Sequence, residues 1–308
     1  MDKAPVAVVV VPLPAQGHLN QLLHLSRLVS AHGIPVHYVG SATHNRQAKN
    51  RVHGWNLSSA SNIHFHDFPL SFNAPPPDPF ASNKFPAQLQ PAFDAALNFC
   101  EPLAALLHSL STTSRRVVVI HDSLMLFAAK VASSLPNGEA YFLNTCSALC
   151  ALFFRWEGLG RPTNTGIESL NEEFTHLSFD GCFTDTFADF INRQLDLMEF
   201  DVGELFNTCS PMESKFIDLL GQEAYQENRK QWAIGPLNPV EFDGGSSSFS
   251  RHKCLDWLDK QPPNSVIYVA FGTMTSISDE QIREIAIGLE QSEQRFIWVL
   301  KEADRGDV

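Results

Sequence analysis

Val6-Ala7-Val8-Val9-Val10-Val11, followed at once by Pro12-Leu13-Pro14-Ala15-Gln16-Gly17-His18, is the stretch that decides the fold. Six apolar residues in a row, five of them β-branched, show no polar alternation. A strand of that kind has both faces covered. The Pro/Gly loop then hands over to Leu22, Leu25, Leu28 and Val29, an apolar stripe at helical spacing. Gly33 stops that helix, and Pro35–Gly40 reads as the next strand. The alternation recurs with strands at Ile63–Phe68, Val117–Ile120 and Ala140–Leu143, each with a plausible helix behind it. Such a βαβ series implies an α/β chain with a parallel, doubly wound sheet and right-handed crossovers.

Two stretches interrupt this rhythm. Pro69–Pro91 is rich in Pro and Phe and too long for a simple connection. Asp243-Gly244-Gly245-Ser246-Ser247-Ser248-Phe249-Ser250 has linker composition. Beyond it come a helix at Cys254–Lys260, a strand at Ser265–Phe271, a helix at Asp279–Gln291 and a strand at Arg295–Leu300. Ser278 and Gln281 fit a capping box for the second of those helices. The expected organisation is a first domain over residues 1–242, a linker over 243–252, and the start of a second domain over 253–308. One helix and one βαβ unit cannot bury both faces of a parallel sheet, so the second domain reads as incomplete.

Bulk properties narrow the function. The 308 residues are 44% apolar and 18% charged, an ordinary globular mix, with a formal net charge of −12. No Lys/Arg cluster offers a phosphate-binding face, so nucleic acid is excluded as an expected partner. The uncharged stretch Ala4–Ala15 is too short to cross a membrane and contains Pro5, Pro12 and Pro14. With Asp2 offsetting Lys3 it also lacks a basic leader segment. A cytoplasmic monomer without a membrane partner is expected, its six cysteines being free thiols. No Cys-x-x-Cys pair supports zinc or dithiol chemistry, and Asn56-Leu57-Ser58 is then a chance glycosylation sequon.

Ligands of open parallel sheets bind beyond the carboxyl ends of the strands, and three polar signals sit there. His18 follows the first strand, Asp122 follows Val117–Ile120, and Gly272-Thr273 follows Ser265–Phe271. Taken singly, His18 reads as a loop histidine and Asp122 as a helix N-cap. Taken together they suggest a dyad, in which Asp122 holds the Nδ1 proton while Nε2 deprotonates a hydroxyl. His121 competes for the role, but it is next along the strand and should point to the other face. Gly272-Thr273 leads into a helix N-terminus, where free N–H groups suit a diphosphate. A single glycine, Gly17, follows the first strand where a dinucleotide site would carry G-x-G-x-x-G, which disfavours an NAD enzyme.

Longer matches now carry a resemblance. Pro12–His18, Trp232-Ala233-Ile234-Gly235-Pro236-Leu237 and the run from Cys254-Leu255-Asp256-Trp257-Leu258 through Val269-Ala270-Phe271-Gly272-Thr273 resemble the signatures of plant UDP-dependent glycosyltransferases. Gly17-His18-Leu19-Asn20-Gln21-Leu22-Leu23-His24-Leu25, Arg51-Val52-His53-Gly54-Trp55, Ile63-His64-Phe65-His66-Asp67-Phe68 and Val119-Ile120-His121-Asp122-Ser123-Leu124 are similar, more narrowly, to the zeatin O-glucosyltransferases and their xylosyl relatives. The resemblance implies a GT-B fold of two Rossmann-like domains with parallel sheets, the second incomplete here. It implies inverting transfer of glucose or xylose from a UDP-sugar co-substrate to a small acceptor, with no metal or other cofactor. His18 would be the general base and Asp122 its partner. Thr273 with Gly272 would lie near the donor phosphates, and Thr145 near the donor sugar; acceptor-binding residues stay unassigned. Gln21 stands where many relatives have proline. The family's donor box is not found before Val308, so the 308-residue chain is expected to be inactive although its family is not, and a truncated member that keeps only the acceptor site is one alternative. A flavonoid or other hydroxylated acceptor is another, with Phe153, Phe154, Trp156, Phe183, Phe187 and Phe190 as a flat-ring lining or, on their spacing, ordinary helix core.

Overall fold

The computed structural model describes residues 4–50, 62–73, 75, 87–163, 166–167, 176–222, 229–237, 253–272 and 277–300. A seven-stranded, all-parallel sheet dominates it. Its strands are β1 (Ala4–Val11), β2 (Val36–Gly40), β3 (Ile63–Asp67), β4 (Ser114–Asp122), β5 (Gly138–Asn144), β6 (Gly203–Phe206) and β7 (Lys230–Ala233), in the order β3-β2-β1-β4-β5-β6-β7.

The valine run does what its composition demands. Val9 and Val11 enter one apolar cluster and Val8 and Val10 another, on opposite faces of β1. Helix α1 (Gln16–Ser30) covers the second face with Leu19, Leu22, Leu23 and Leu25, and α2 (Ala42–Asn50) adds Ala48. On the other face lie α3 (Gln90–Ala96), α4 (Cys100–Thr113) and α5 (Phe127–Ser133), which contribute Phe93, Leu103, Leu107 and Ala128. Further along, α6 (Ala148–Gly158), α7 (Asp185–Asn192) and α8 (Ser210–Leu220) complete the unit, and α6 packs on α8 through Leu152, Phe153, Leu219 and Leu220.

Two strands escape the sequence reading. β6 and β7 are four residues each and carry Gly203, Glu204, Lys230 and Gln231, so neither shows an apolar run. β6 adds to the ladder edge that β5 offers, and β7 adds to the edge of β6. Gly235, just past β7, is a glycine for lack of room: a Cβ there would meet Asn207 and the Thr208 nitrogen.

A separate two-stranded parallel sheet pairs β8 (Val266–Val269) with β9 (Arg295–Trp298). Between them runs α10 (Asp279–Gln291), and α9 (Lys253–Leu258) precedes them. The expected capping box is present, with Ser278 Oγ accepting from Gln281 N–H and the Gln281 side chain accepting from Ser278 N–H. Tyr268 is 69% exposed and Phe296 41% exposed. The linker expected over residues 243–252, most of Pro69–Pro91 and the Arg51–Trp55 motif lie outside the described residues.

Candidate active site

The sheet order determines which strand ends meet. β1, β4 and β5 are neighbours, and the chain leaves β1 toward β2 on one side and reaches β4 on the other. That reversal creates a crevice at the carboxyl ends of β1 and β4. Asp122 is the last residue of β4, and Thr145 follows the last residue of β5.

His18 belongs to the first turn of α1, which starts at Gln16, and not to the preceding loop as the Pro/Gly content suggested. The turn is pinned from below: buried Tyr38 on β2 donates its hydroxyl proton to the Leu19 carbonyl at 2.9 Å. His18 Nδ1 lies 2.7 Å from Asp122 Oδ2 and 3.0 Å from Thr145 Oγ1. Asp122 caps no helix. Its Oδ1 accepts from Leu124 N–H at 3.0 Å, its side chain is fully buried, and α5 begins five residues later. The two carboxylate oxygens are thus divided between a backbone donor and the His18 ring. That leaves the His18 Nε2 edge as the part of the ring open to a ligand, and the side chain retains 25% exposure. Burial works to lower the His18 pKa, but the charge and hydrogen bond of Asp122 outweigh it, and the pKa is raised above its ordinary 6.5.

Thr145 is brought to the same ring nitrogen, across 127 residues of chain. Its segment is held by groups the sequence did not flag. Gln21, one turn beyond His18 on α1, donates to the Thr145 carbonyl at 3.2 Å and accepts from Asn207 Nδ2 at 2.5 Å. Asn207 Oδ1 in turn accepts from Leu237 N–H at 2.6 Å. Glu213 on α8 accepts from Ala148 and Leu149 N–H at 2.9 and 3.2 Å, closing the N-terminus of α6. Only the departure at Gln21 hinted at any of this in the sequence; an amide there can bridge two strand ends, and a proline could not donate.

His121 points away from His18, as strand alternation requires. Both of its ring nitrogens are engaged, Nε2 with Asp201 Oδ1 at 2.9 Å and Nδ1 with the Asp122 carbonyl at 2.8 Å. Gly272 lies in the turn three residues past β8 with φ +71°, a left-handed conformation that suits glycine; Thr273 lies outside the described residues. Of the aromatic candidates, Phe153, Trp156, Phe187 and Phe190 are buried core, so the helix-core reading holds for them. Phe154 is 38% exposed and stacks on Phe179 with ring centroids 4.2 Å apart.

Comparison with known proteins now bears on this geometry. Residues 4–239 match the family described as glycosyltransferase, N-terminal domain. The chain belongs to that family. It is 46% identical over 304 residues to a zeatin O-glucosyltransferase from Phaseolus lunatus, covering 98% of this chain and 64% of that protein. It is 43% identical over 309 residues to a zeatin O-xylosyltransferase from Phaseolus vulgaris, covering 100% of this chain and 65% of that one. The chain therefore spans under two thirds of the length of these relatives. A UGT transferase from Siraitia grosvenorii, solved in complex with UDP, superposes with a TM-score of 0.65 at 22% identity, over 98% of this chain and 64% of that one. The fold is the α/β, GT-B type that the resemblance implied. Among the described residues no helix is long and apolar enough to cross a membrane.

Proposed function

We propose that the chain is the acceptor-activating part of a UDP-sugar-dependent transferase that glycosylates the hydroxyl of a zeatin-like cytokinin. The observation that carries this is the His18–Asp122 contact of 2.7 Å at the switch point of a glycosyltransferase fold. In this reading Asp122 fixes the Nδ1–H tautomer and stabilises the imidazolium that forms, while Nε2 takes the acceptor hydroxyl proton. The Thr145 hydroxyl oxygen shares the Nδ1–H and keeps the ring from rotating. The deprotonated oxygen then attacks C1 of the sugar, the C1–O bond to UDP breaks, and UDP leaves with the bonding pair, which inverts the anomeric centre.

The reading assigns residues 1–242 to the acceptor domain, 243–252 to a linker, and 253–308 to the donor side, with Gly272 and Thr273 toward the donor phosphates. The family match over residues 4–239 and the separate β8–β9 sheet support that division. UDP-glucose or UDP-xylose is the co-substrate, no metal takes part, and the setting is cytosolic. The relatives' names support glucose and xylose equally.

The test combines binding with transfer. Titration of trans- and cis-zeatin into the purified chain is expected to show saturable binding that survives His18→Ala. In a form extended to the full length of these relatives, glycoside formed with UDP-glucose or UDP-xylose is expected to fall on the order of 10²–10⁴-fold with His18→Ala, the usual worth of a general base. Absence of zeatin binding, or glycoside formation equal in both proteins, would overturn the proposal.

A further inference from the structure

A second histidine–aspartate pair lies behind the first. His121 and Asp201 both have side chains at 0% exposure. They come from different elements: His121 is the penultimate residue of β4, and Asp201 ends the 3-10 turn Leu195–Phe200 ahead of β6. Successive strand residues face opposite sides of a sheet, so the His121 ring lies opposite the Asp122 carboxylate and yet touches the same residue through its carbonyl.

The partners determine how many protons the ring carries. A carbonyl oxygen and a carboxylate oxygen can only accept. With Asp201 ionised, Nδ1 at 2.8 Å from the Asp122 carbonyl and Nε2 at 2.9 Å from Asp201 Oδ1 both bear hydrogen. A neutral imidazole would press one lone pair against an oxygen lone pair in a site closed to water, which is what buried polar groups avoid. The aspartate has the matching need. Its Oδ2 is buried with no hydrogen-bond partner among the described residues, so the carboxylate relies on the Nε2 contact. A buried carboxylate in that position is tolerated only opposite a cation.

We infer that His121 is a positioning residue, an imidazolium held by Asp201 on the far face of the sheet, which fixes the Asp122 peptide and so aims the Asp122 carboxylate at His18. The inference rests on the His18–Asp122 dyad reading and adds a third and fourth charge to it, in the order Asp201⁻, His121⁺, Asp122⁻, His18. Burial alone would neutralise the ring; the Asp201 charge and hydrogen bond, then the contacts with Asp122, more than offset it. Arg229 also lies on this side, its guanidinium 5.6 Å from the Phe142 ring, itself 6.3 Å from the His121 ring. Arg229 donates to the Met198 carbonyl at 2.8 Å, so it braces the turn that presents Asp201.

The arrangement has a directional consequence. A cation behind Asp122 repels a second positive charge on His18 and holds the His18 proton affinity below what Asp122 alone would confer. In the order given, His121 stands nearer His18 than its Asp201 counter-charge does, so removing the pair should shift the His18 proton affinity upward.

The experiment uses the 308-residue chain with ¹⁵N-labelled histidine. Ring ¹⁵N shifts and one-bond N–H couplings should show His121 still protonated at both nitrogens above the pH at which an ordinary histidine deprotonates. Asp201→Asn, which keeps shape and removes charge, should leave His121 neutral and move the His18 midpoint up. His121→Gln should move it the same way, which guards against a folding defect particular to one variant. Asp122→Asn should move the His18 midpoint down. If that last shift is absent, the dyad reading fails. If it is present while the other two variants leave His18 unmoved, or if wild-type Nε2 of His121 carries no proton, only the present inference falls.

Discussion

Acid should destabilise this protein through a histidine remote from the active site. His44, in the first turn of α2, is 3% exposed, and its Nδ1 lies 2.8 Å from the Ser41 hydroxyl. Burial pushes its pKa from the ordinary 6.5 down to about 4. The folded state therefore binds the proton less readily than the unfolded chain, so its stability is full above pH 6.5 and declines as pH falls toward 4. A shift from 6.5 to about 4 is worth at most about 3 kcal/mol, and about 2 kcal/mol of that is lost by pH 5. The perturbation is His44→Gln, whose amide still accepts from Ser41 but does not titrate. Urea unfolding at pH 7 and pH 5, followed by circular dichroism, should show the wild type losing about 2 kcal/mol more than the variant over that interval. Half-buried His37, its pKa also lowered to about 4 by burial and by His66 and His64, falls in the same direction in both proteins and cancels. His18 and His121 act oppositely. Their pKa values are raised, so their contribution is present in acid and lost as pH rises through the folded values. Equal acid losses in wild type and variant would refute the reasoning.

Three further outcomes follow from the site and the small sheet. Gln21→Ala removes the bridge between α1, the Thr145 carbonyl and Asn207, and should cost about 1–3 kcal/mol in thermal or urea unfolding; an unchanged midpoint would count against the bridge. Glu213→Gln should weaken the N-terminus of α6 by about 0.5–2 kcal/mol at neutral pH. Burial alone would raise the Glu213 pKa, but hydrogen bonds from Thr208, Ala148 and Leu149 hold it below 4.5, so the penalty should shrink as pH falls through that range. Hydrogen exchange should be fast in β8 and β9, whose Tyr268 and Phe296 are exposed, and slow in β1 and β4; equal protection would contradict the packing described.

The local grammar of the chain was legible in one dimension. A continuous β-branched run at Val6–Val11 can only be a strand covered on both faces, and the Leu22, Leu25, Val29 stripe can only be a helix lying on it. The signatures around His18, Trp232–Leu237 and Cys254–Thr273 were enough to name the family, because they are fixed strings. Even His18 and Asp122 could be singled out, since each follows a strand. Pairing was only suggested for His18 with Asp122, and left open for the rest. His18 meets Asp122 across 104 residues and Thr145 across 127, and Gln21 meets Asn207 across 186. None of these contacts has a periodicity, because each depends on which strands become neighbours and in what register. β6 and β7 were invisible for the same reason: their residues carry weak strand preference, and each is recruited by the free edge of the strand before it, β5 for β6 and β6 for β7. The engagement of His121 with Asp201 likewise needed the turn before β6 to be delivered to the end of β4. Periodicity is set by the few dihedrals within one element, whereas a charged pair in a buried site is set by the packing of several elements at once, and that exists only once the chain has folded.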